Sequence, residues 1–385
     1  MDGTARVNRR GEARWLRGHP WIYRSDVLEP PRVPAGPVPV RNERGDPIGM
    51  ALWSPSSLIA LRMLTRDERR IDGAFLHGRL EEARARRESC PPDATAFRLV
   101  HGEADDLPSL IVDRYGDHLV LQCLSAGMEA LRSELIAVLL DVFRPASVLA
   151  RNDVFVRRFE DLPEEVAPLH GEVPDRLEVR EGTIRYLVDL RTGQKTGAFL
   201  DQRENRRRAG ELARGHALDC FSYHGSFALH MARRAERVTA VDASGPALAR
   251  ALENAALNDV RIDTIEANVF EWLRAQERAG QKYDTIVLDP PAFAKSKRSL
   301  GAALRGYNEI NLRAMRLLAP DGHLLTFSCS HHVDEAAFRQ MLTAAAHDAG
   351  RPVEWVEARG QASDHPVLLQ IPETSYLKGA VLRAR

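Results

Sequence analysis

Several residue classes are scarce in this chain of 385 residues, and each scarcity excludes a class of protein. The four cysteines, Cys90, Cys123, Cys220 and Cys329, form no C-x-x-C pair. Such wide spacing argues against a disulfide scaffold and a zinc knuckle, and we expect no metal site. Basic and acidic residues balance at 54 each, so any nucleic-acid surface must be local.

Long apolar runs are lacking as well. No stretch approaches the roughly 18 apolar residues that a membrane span needs, and the N-terminal segment has no apolar core of the kind found in signal peptides. We therefore expect a cytoplasmic protein with no membrane partner. Only five of the 54 basic residues are lysines, which makes any lysine close to a motif noteworthy.

The chain is predicted to hold three domains. Residues 1–72 are short period-two segments broken by proline and glycine, with 13 arginines against 9 acidic residues, which predicts a small, positively charged β-barrel or sandwich. Residues 73–187 start with a linker helix that Asp72 caps. A strand-strand-helix-strand-strand order follows, which predicts a central α+β domain.

Residues 188–385 alternate apolar strands with helices of 10 to 17 residues. This rhythm predicts a Rossmann-like α/β domain with a parallel sheet and helices on both faces. Ligands of such sheets bind beyond the carboxyl ends of the strands. The residues that follow each strand are therefore the candidates for a functional site.

The first two strands of this domain end in acidic residues, Asp219 and Asp242. The loop after Asp219, which contains Phe221, has a single glycine, Gly225, where a dinucleotide site has three. Asp242 stands where a carboxylate accepts both ribose hydroxyls of an adenosine. The pattern favours S-adenosylmethionine, an adenosine cofactor without a pyrophosphate, with Asp219 pairing its ammonium group. Each acid alone also fits a helix cap.

The residues after the third and fourth strands add further candidates for the cofactor and substrate site. Asn268 follows the third strand, where a polar group would contact adenine, although a turn asparagine is the simpler interpretation. Asp289 opens the segment D-P-P-A-F after the fourth strand. The prolines fix an extended turn that directs Asp289 into the cleft. Pro290, Pro291 and Phe293 would then hold a flat base as methyl acceptor.

Cys329 follows the fifth strand and stands between two serines. Carbon 5 of a pyrimidine is a poor nucleophile. A thiolate that adds at carbon 6 raises the electron density at carbon 5. Cys329 and Asp289 are thus the candidate catalytic residues. The other three cysteines are interpreted as buried apolar residues. His331 and His332 are interpreted as solvated or helix-start residues rather than metal ligands.

Two basic stretches border the predicted cleft. Residues 191–214 hold seven basic residues against three acidic ones, and residues 295–305 hold four against none. A charge run is usually a solvated face, but beside a base-binding motif it favours contact with RNA phosphates. The predicted substrate-binding cations are Lys195, Arg203, Lys295 and Lys297.

Several segments together resemble one known family. They are RTGQKTGAFLDQRENR (191–206), LDCFSYHGSFALHMA (218–232), VLDPPAFAKSK (287–297), FSCS (327–330) and DHPVLLQIPETSYLKG (364–379). They are similar to the RlmI-like class I methyltransferases, which form 5-methylcytidine in 23S rRNA. HPWIYRSDV (19–27) resembles the start of that family's PUA domain, and residues 98–117 resemble its central module. The likeness therefore covers nearly the whole chain.

The resemblance implies a site for S-adenosylmethionine, Cys329 as nucleophile, and 23S rRNA or a ribosomal precursor as partner. The implied cofactor residues are Asp219, Gly225, Asp242, Asn268 and Asp289. His224 replaces a small or hydroxylated residue, and Asn268 replaces the commoner aspartate. Both departures can weaken cofactor affinity, but neither removes a charge that methyl transfer needs.

Other functions stay open at this point. A relative that methylates guanine N7 or an exocyclic amine would need no thiolate, which Cys329 argues against. A non-catalytic RNA-binding or ribosome-assembly protein would not need Asp219, Asp242 and Asp289. An NAD-linked oxidoreductase is disfavoured by the missing glycines. The sequence does not decide between a monomer and a homodimer.

Overall fold

The computed structural model describes residues 3–88, 93–294 and 297–385. They form two units, each discontinuous in sequence. The first runs to residue 182 and adds residues 188–200 and 363–374, and the second consists of residues 183–187, 201–362 and 375–385. Cys90 and Lys295 lie outside the described residues. The three-domain division at residues 72 and 187 stays a prediction.

The first unit begins with a mixed sheet of short strands. Its elements are β1 (Ala5–Val7), α1 (Arg9–Leu16), β2 (Trp21–Tyr23), β3 (Val27–Glu29), β4 (Gly36–Arg41), β5 (Pro47–Trp53) and β6 (Ile59–Thr65). The strands pair in the order β2-β6-β5-β4-β1-β3. Alternate residues such as Val38 and Val40 face one apolar core, as a period of two predicts. Helix α1 was not predicted, and it starts where the Asn8 side chain accepts a hydrogen bond from Gly11 N.

An α+β layer completes the first unit. Its elements are α2 (Gly73–Arg87), β7 (Ala96–His101), β8 (Leu110–Tyr115), β9 (His118–Cys123), α3 (Ala126–Glu129), α4 (Arg132–Phe143), β10 (Ser147–Arg151), β11 (Val166–Gly171) and β12 (Leu177–Glu181). Asp72 caps α2, as predicted, because its side chain accepts a hydrogen bond from Phe75 N. The sheet order is β11-β10-β9-β8-β7, and Leu76 of α2 and Leu135 of α4 share its core.

The strand count of this layer differs from the prediction. The sequence predicts two strands in residues 97–125, and the structure has three, because a turn of two residues, Gly116 and Asp117, separates β8 from β9. Strand β11 was not predicted. It lies at the edge of the sheet with most of its side chains exposed, so it carries no apolar alternation.

The second unit is a sheet covered by helices. Its elements are β13 (Ile184–Val188), α5 (Arg203–Leu212), β14 (His216–Cys220), α6 (Ser226–Met231), β15 (Arg237–Asp242), α7 (Gly245–Leu257), β16 (Asp263–Glu266), α8 (Val269–Arg278), β17 (Tyr283–Leu288), α9 (Leu300–Leu317), β18 (Leu318–Ser328), α10 (Glu335–Ala349), β19 (Val353–Arg359) and β20 (Lys378–Ala384). Seven of these strands pair in the order β16-β15-β14-β17-β18-β20-β19. The order reverses at β14, which places a ligand crevice beyond the carboxyl end of that strand.

One strand corrects the prediction of a wholly parallel sheet. Strand β20 is antiparallel to both of its neighbours, β18 and β19. A parallel connection needs a crossover, which is usually an α-helix. The described chain has no α-helix between β19 and β20, so the last strand returns in the opposite direction.

Local signals set the ends of helices α7 and α10 in the second unit. Ser244 caps α7, with Pro246 in its first turn, and Asp334 caps α10 through a hydrogen bond from Ala337 N. Gly350 ends α10 in a left-handed conformation, with φ of +66°. Across the described residues, we find no helix whose length and apolar character would let it cross a membrane.

Candidate active site

Three carboxylates meet at the carboxyl edge of the second unit's sheet. Cys220 of β14 pairs in register with Val241 of β15 and with Leu288 of β17. Asp219, Asp242 and Asp289 therefore stand within about one residue of the same level on three adjacent strands. The sequence prediction placed these acids at one edge, and the register shows that they are neighbours.

The loop after β14 has an unusual backbone. Phe221 and Tyr223 have φ values of +64° and +49°, and Gly225 has +76°. Left-handed conformations are costly for aromatic residues, and such strain concentrates at functional sites. The backbone N–H groups of Phe221 and Ser222 both donate to Val241 O, which holds the loop against β15. The sequence did not identify Tyr223 or Ser222.

Gly225 allows the loop to approach helix α7. A Cβ atom at this position would lie 2.8 Å from the Cβ atom of Ala251. Glycine is therefore required both for the positive φ and for the close contact. The residue begins helix α6 immediately beyond the crevice.

Asp219 is fully buried at the base of the crevice. Its Oδ2 atom accepts a hydrogen bond from Ala228 N at 2.9 Å, whereas Oδ1 has no hydrogen-bond partner among the described residues. Burial raises the pKa of Asp219 well above its usual value, and the charges of Asp289 and Asp242 raise it further, against the hydrogen bond from Ala228. A buried carboxylate oxygen without a partner fits a cationic ligand group.

Asp242 fixes the loop and leaves the capping role to another residue. Its Oδ2 atom accepts a hydrogen bond from Tyr223 N, and its Oδ1 atom accepts one from Ser244 N, both at 2.9 Å. The cap of α7 is Ser244, whose hydroxyl accepts from Ala247 N. Each carboxylate oxygen has a second lone pair, so Asp242 can also accept ribose hydroxyls.

Asn268 has the simpler of its two predicted roles in this structure. Its Oδ1 atom accepts hydrogen bonds from Phe270 N and Glu271 N, which makes it the cap of α8. The side chain is exposed, and its amide nitrogen has no hydrogen bond to another described residue. Contact between Asn268 and adenine stays a prediction.

Asp289 is held by a chain of amide side chains that the sequence prediction missed. The Gln202 amide donates from Nε2 to Asp289 Oδ1 at 2.8 Å. Asn205 Nδ2 donates to Gln202 Oε1 at 2.6 Å, and Arg359 Nε donates to Asn205 Oδ1 at 2.9 Å. Gln202 and Asn205 are buried. Their only sequence signal was a place in the segment LDQREN, inside one of the segments that carried the family resemblance.

The D-P-P turn is anchored by its aromatic residue. The ring of Phe293 lies 4.6 Å from Tyr307, 5.8 Å from Phe270 and 6.5 Å from Phe221, measured between ring centroids. These contacts give Phe293 a packing role at the edge of the core. Stacking of a base on Phe293 stays a prediction, while Pro291 is exposed on the same turn.

Cys329 faces the D-P-P turn from the end of β18. Its partly buried thiol lies 3.9 Å from the carbonyl oxygen of Pro290. The next residue, Ser330, is locked by Tyr307, whose hydroxyl lies 2.9 Å from Ser330 Oγ, and by Ala294 N, which donates to the same oxygen. The backbone beside Cys329 is therefore fixed to the turn that carries Asp289.

Two other cysteines are unsuited to form a thiolate. Cys123 and Cys220 are buried, as predicted. Burial raises the pKa of Cys123 to about 12 and the pKa of Cys220 well above its usual value. Both therefore stay protonated near neutral pH. Among the three described cysteines, Cys329 is the one with solvent access.

Lys378 lies on β20 beside Cys329 and was not a predicted site residue. Its side chain is 6% exposed, and its ammonium donates to Ser330 O at 2.8 Å and to Tyr376 O at 2.7 Å. Burial lowers the pKa of Lys378, against the charges of Cys329, Asp334 and Glu335. The scarcity of lysine was the one sequence signal that could have singled it out.

Two arginines of the basic stretch 191–214, which was predicted to contact RNA phosphates, have acidic partners in the structure. Arg203 is 4% exposed and forms an ion pair with Glu204, so it is a buried structural cation in this structure rather than a phosphate contact. Arg208 pairs with Glu357, whose hydrogen bond raises the pKa of Arg208. Glutamates of α5 and of β19 thus compensate for the charges of Arg203 and Arg208.

The other basic residues predicted to bind RNA lie in two separate segments. Lys195, in the first unit, is exposed, with Nζ 5.9 Å from the centroid of the Phe199 ring. Lys297 begins a short 3-10 helix. Arg298 and Arg305, from the second basic stretch, are exposed. Within the ranges that the structure covers, we find no cluster of three or more side chains suited to hold a metal ion.

Known proteins resemble the chain in both sequence and fold. The family model for PUA-like domains matches residues 5–66, and that for S-adenosylmethionine-dependent methyltransferases matches residues 115–367. Ribosomal RNA large subunit methyltransferase I of Tolumonas auensis is 42% identical over 398 aligned positions that cover 100% of both chains. The protein of the same name from Aeromonas salmonicida is 41% identical and covers 96% of each chain.

Solved structures share the fold over almost the full length. One, described as an S-adenosylmethionine-dependent methyltransferase from Streptococcus mutans, has a TM-score of 0.84 at 21% identity and covers 99% of both chains. Another methyltransferase, in complex with SAH, has a TM-score of 0.86 at 20% identity with the same coverage. At such identities the likeness shows the fold alone, and with the PUA-like match it confirms the predicted fold class.

Proposed function

The chain belongs to the S-adenosylmethionine-dependent methyltransferase family, and on that premise we propose that it forms 5-methylcytidine in large-subunit (23S) ribosomal RNA. The family confirms the predicted cofactor, S-adenosylmethionine. The observation that carries the finer proposal is the Cys329 thiol, which lies 3.9 Å from the Pro290 carbonyl in the turn that also carries Asp289.

The residues at the sheet edge fit the cofactor. The Oδ1 atom of Asp219, which has no hydrogen-bond partner in the described ranges, suits its ammonium group. Asp242, already fixed by two backbone donors, suits its ribose hydroxyls. The glycine at position 225 lets the loop after β14 pack closely against α7. When bound, the cofactor supplies a methyl group on a positively charged sulfur.

Cys329 provides the chemistry that carbon 5 of cytosine lacks. Its thiolate forms a bond to carbon 6, and the electrons of the carbon 5–carbon 6 double bond become available at carbon 5 for the new bond to the methyl group. Loss of the carbon 5 proton to a base then restores the double bond as the sulfur–carbon bond breaks. Asp289, held by Gln202 in the turn that Cys329 faces, is the candidate base.

The RNA partner is proposed from two features. The curated relatives carry the name ribosomal RNA large subunit methyltransferase I, and residues 5–66 match a PUA-like domain. Exposed Arg298 and Arg305, close in sequence to the D-P-P turn, provide positive charge for RNA phosphates.

A substrate that traps the thiol adduct tests the proposal. In 23S rRNA transcribed with 5-fluorocytidine, carbon 5 carries fluorine, which cannot leave as a proton, so elimination stalls and Cys329 stays bound to the RNA. We expect a denaturation-stable protein–RNA adduct with the wild type and with Cys220→Ala, the buried-cysteine control. We expect no adduct with Cys329→Ala.

The competing chemistries give different results. If Cys329→Ala retains methyl transfer, the thiolate mechanism is wrong, and product analysis by nucleoside mass spectrometry will identify a methyl group on guanine N7 or on an exocyclic amine. Mapping of rRNA from cells that lack the protein should reveal one cytidine without its methyl group. An unchanged methylation pattern would contradict the proposed substrate.

A further inference from the structure

Lys378 is a buried cation with no acidic ion-pair partner among the described residues. Its ammonium has three donors, of which two bind the carbonyl oxygens of Ser330 and Tyr376. No carboxylate forms an ion pair with Lys378 within the described ranges. A buried charge is costly unless an opposite charge compensates for it. An anion close to Lys378 would therefore stabilise the charged form of this lysine.

The position of Lys378 points to Cys329 as that anion. Ser328 and Lys378 are register partners across β18 and β20. The ammonium lies against the carbonyl of Ser330, the residue that follows Cys329, so it is fixed next to the cysteine backbone. The register of an antiparallel pair therefore brings together two residues that are far apart in the sequence.

Other charged and titratable groups near this pair have different roles. Asp334 and Glu335 stand at the start of α10, where the Asp334 side chain accepts a hydrogen bond from Ala337 N as a helix cap. Tyr307 of α9 is engaged with Ser330 Oγ, and burial raises the pKa of the Tyr307 hydroxyl. Cys329 raises the pKa of Lys378 more than Asp334 or Glu335 does.

We propose that the Lys378 ammonium is the counter-ion that holds Cys329 in its thiolate form between turnovers. This role rests on the proposed function of Cys329 as the nucleophile. When the bond between sulfur and carbon 6 forms, the negative charge leaves the sulfur for the pyrimidine ring. When that bond breaks, the charge returns to the sulfur and Lys378 again compensates for it. Lys378 contacts neither base nor cofactor in this scheme and is a positioning residue.

The pH dependence of thiol alkylation measures the pair directly. Iodoacetamide reacts with the thiolate, and mass spectrometry quantifies its addition at Cys329 at each pH. In Lys378→Met the pH of half-maximal alkylation should rise by about one unit, with a roughly tenfold slower reaction at neutral pH. Lys378→Arg keeps the charge and should restore most of the reactivity.

A second lysine provides a matched control. Lys282 also lies in the second unit, and its ammonium also donates to a backbone carbonyl, that of Arg316, but its side chain is exposed. Lys282→Met should leave the alkylation profile unchanged. An unchanged profile in folded Lys378→Met would overturn the proposal.

The reciprocal measurement follows the titration of Lys378 itself in chains that keep this lysine. Because the chain has five lysines, isotope labelling of lysine gives few NMR signals, and the Lys378 signal is assigned by its absence in Lys378→Arg. In Cys329→Ala the ammonium loses its anion, so Lys378 should titrate at a lower pH than in the wild type. An unchanged titration would also overturn the pairing.

Failure of the ion pair can be told apart from failure of the proposed function. Alkylation and NMR need no RNA. If the 5-fluorocytidine adduct forms while Lys378→Met leaves alkylation unchanged, the pair is wrong and the thiolate mechanism stands. If Lys378→Met shifts the alkylation of Cys329 and Cys329→Ala shifts the titration of Lys378, the pair exists. If Cys329→Ala then still methylates RNA, the proposed function is wrong.

Discussion

At the scale of single residues, the site combines charged groups that burial disfavours when no ligand is present. Asp219 has one oxygen atom without a partner among the described residues, and Lys378 has no carboxylate partner there. Neither arrangement stabilises the fold by itself. Both are explained if the missing opposite charge is provided during function, by the cofactor at Asp219 and by the Cys329 thiolate at Lys378.

Asp219→Asn should stabilise the protein and abolish cofactor binding. The folded pKa of Asp219 is raised, so the folded state binds more protons than the unfolded state between about pH 4 and that raised pKa, and stability falls as pH rises through this window. We expect the free energy of unfolding at pH 8 to increase by on the order of 1 to 3 kcal/mol. The increase should shrink as pH falls.

Chemical denaturation at several pH values and calorimetry with S-adenosylmethionine check this prediction. Asp348→Asn, which changes an exposed acid outside the site, is the control and should alter neither measurement. Lower stability of Asp219→Asn at pH 8 would contradict the assignment of Asp219 as a buried and uncompensated charge.

Gly225→Ala should weaken both the fold and the cofactor site. The added Cβ atom would lie 2.8 Å from the Cβ atom of Ala251, at a φ of +76°. The clash and the backbone strain together should cost roughly 1 to 3 kcal/mol. Adding Ala251→Gly removes the clash but not the strain, so the double variant should recover part of the cofactor affinity in calorimetry. No recovery would show that the backbone conformation alone requires glycine.

At the scale of elements, the site depends on connections between the helix ends and the strand ends. Gln202, the cap residue of helix α5, holds the turn after β17 through its hydrogen bond to Asp289. Asn205 binds Gln202, and Arg359 binds Asn205. Helix α8 begins at Asn268, directly at the crevice. Substitutions in these elements can therefore change binding without contacting a ligand.

Gln202→Ala tests the support of Asp289. A hydrogen bond to a charged group contributes about 1.5 to 3 kcal/mol, so loss of orientation at Asp289 should reduce the methyl-transfer rate about tenfold or more. Cofactor affinity should change less than the rate if Asp289 acts mainly on the base. Gln340→Ala on the exposed face of α10 is the control. A wild-type rate for Gln202→Ala would exclude a positioning role.

Two substitutions at Asn268 separate its cap from the predicted contact with adenine. Asn268→Ala removes the acceptor for Phe270 N and Glu271 N and should lower stability by about 1 kcal/mol. Asn268→Asp keeps the cap, so thermal unfolding should stay close to wild type. If adenine is contacted here, Asn268→Asp should change the affinity for S-adenosylmethionine in calorimetry, and an unchanged affinity would leave Asn268 as a cap alone.

At the scale of the whole molecule, the PUA-like region cannot be treated as a removable part. Leu52 and Leu64 of its sheet belong to the same apolar core as Leu76 and Leu80 of helix α2. Removal of residues 1–72 would expose that core to water and destabilise the first unit. Charge substitutions in the intact chain are therefore the appropriate test of the RNA surface.

Arg298→Glu and Arg305→Glu should weaken RNA binding and reduce its salt dependence. Removing one arginine–phosphate interaction should change the slope of log affinity against log salt by roughly one unit. The control is Arg237→Glu, at the amino end of β15 and hence at the opposite edge of the sheet. Filter binding at several salt concentrations measures these slopes. Wild-type slopes in both variants would place the RNA surface elsewhere.

The sequence by itself determined the features that depend on neighbouring residues. Period-two and strand-helix patterns indicated the fold class, Asp72 was identified as a cap, and the motifs around Asp219, Asp289 and Cys329 predicted one edge of one sheet. The comparisons confirm the fold class and the cofactor, and the individual site residues stay predictions. Local patterns suffice here because strand ends, caps and proline turns are specified within a few residues.

Only the tertiary structure decided which charges are buried and which are paired. Arg203 is buried, Gln202 reaches Asp289, and β20 runs antiparallel, which places Lys378 opposite Ser328 and next to Cys329 in the sequence of β18. No local pattern predicts these contacts, because burial and ion pairing depend on groups that are distant in sequence and meet only when the sheet is assembled.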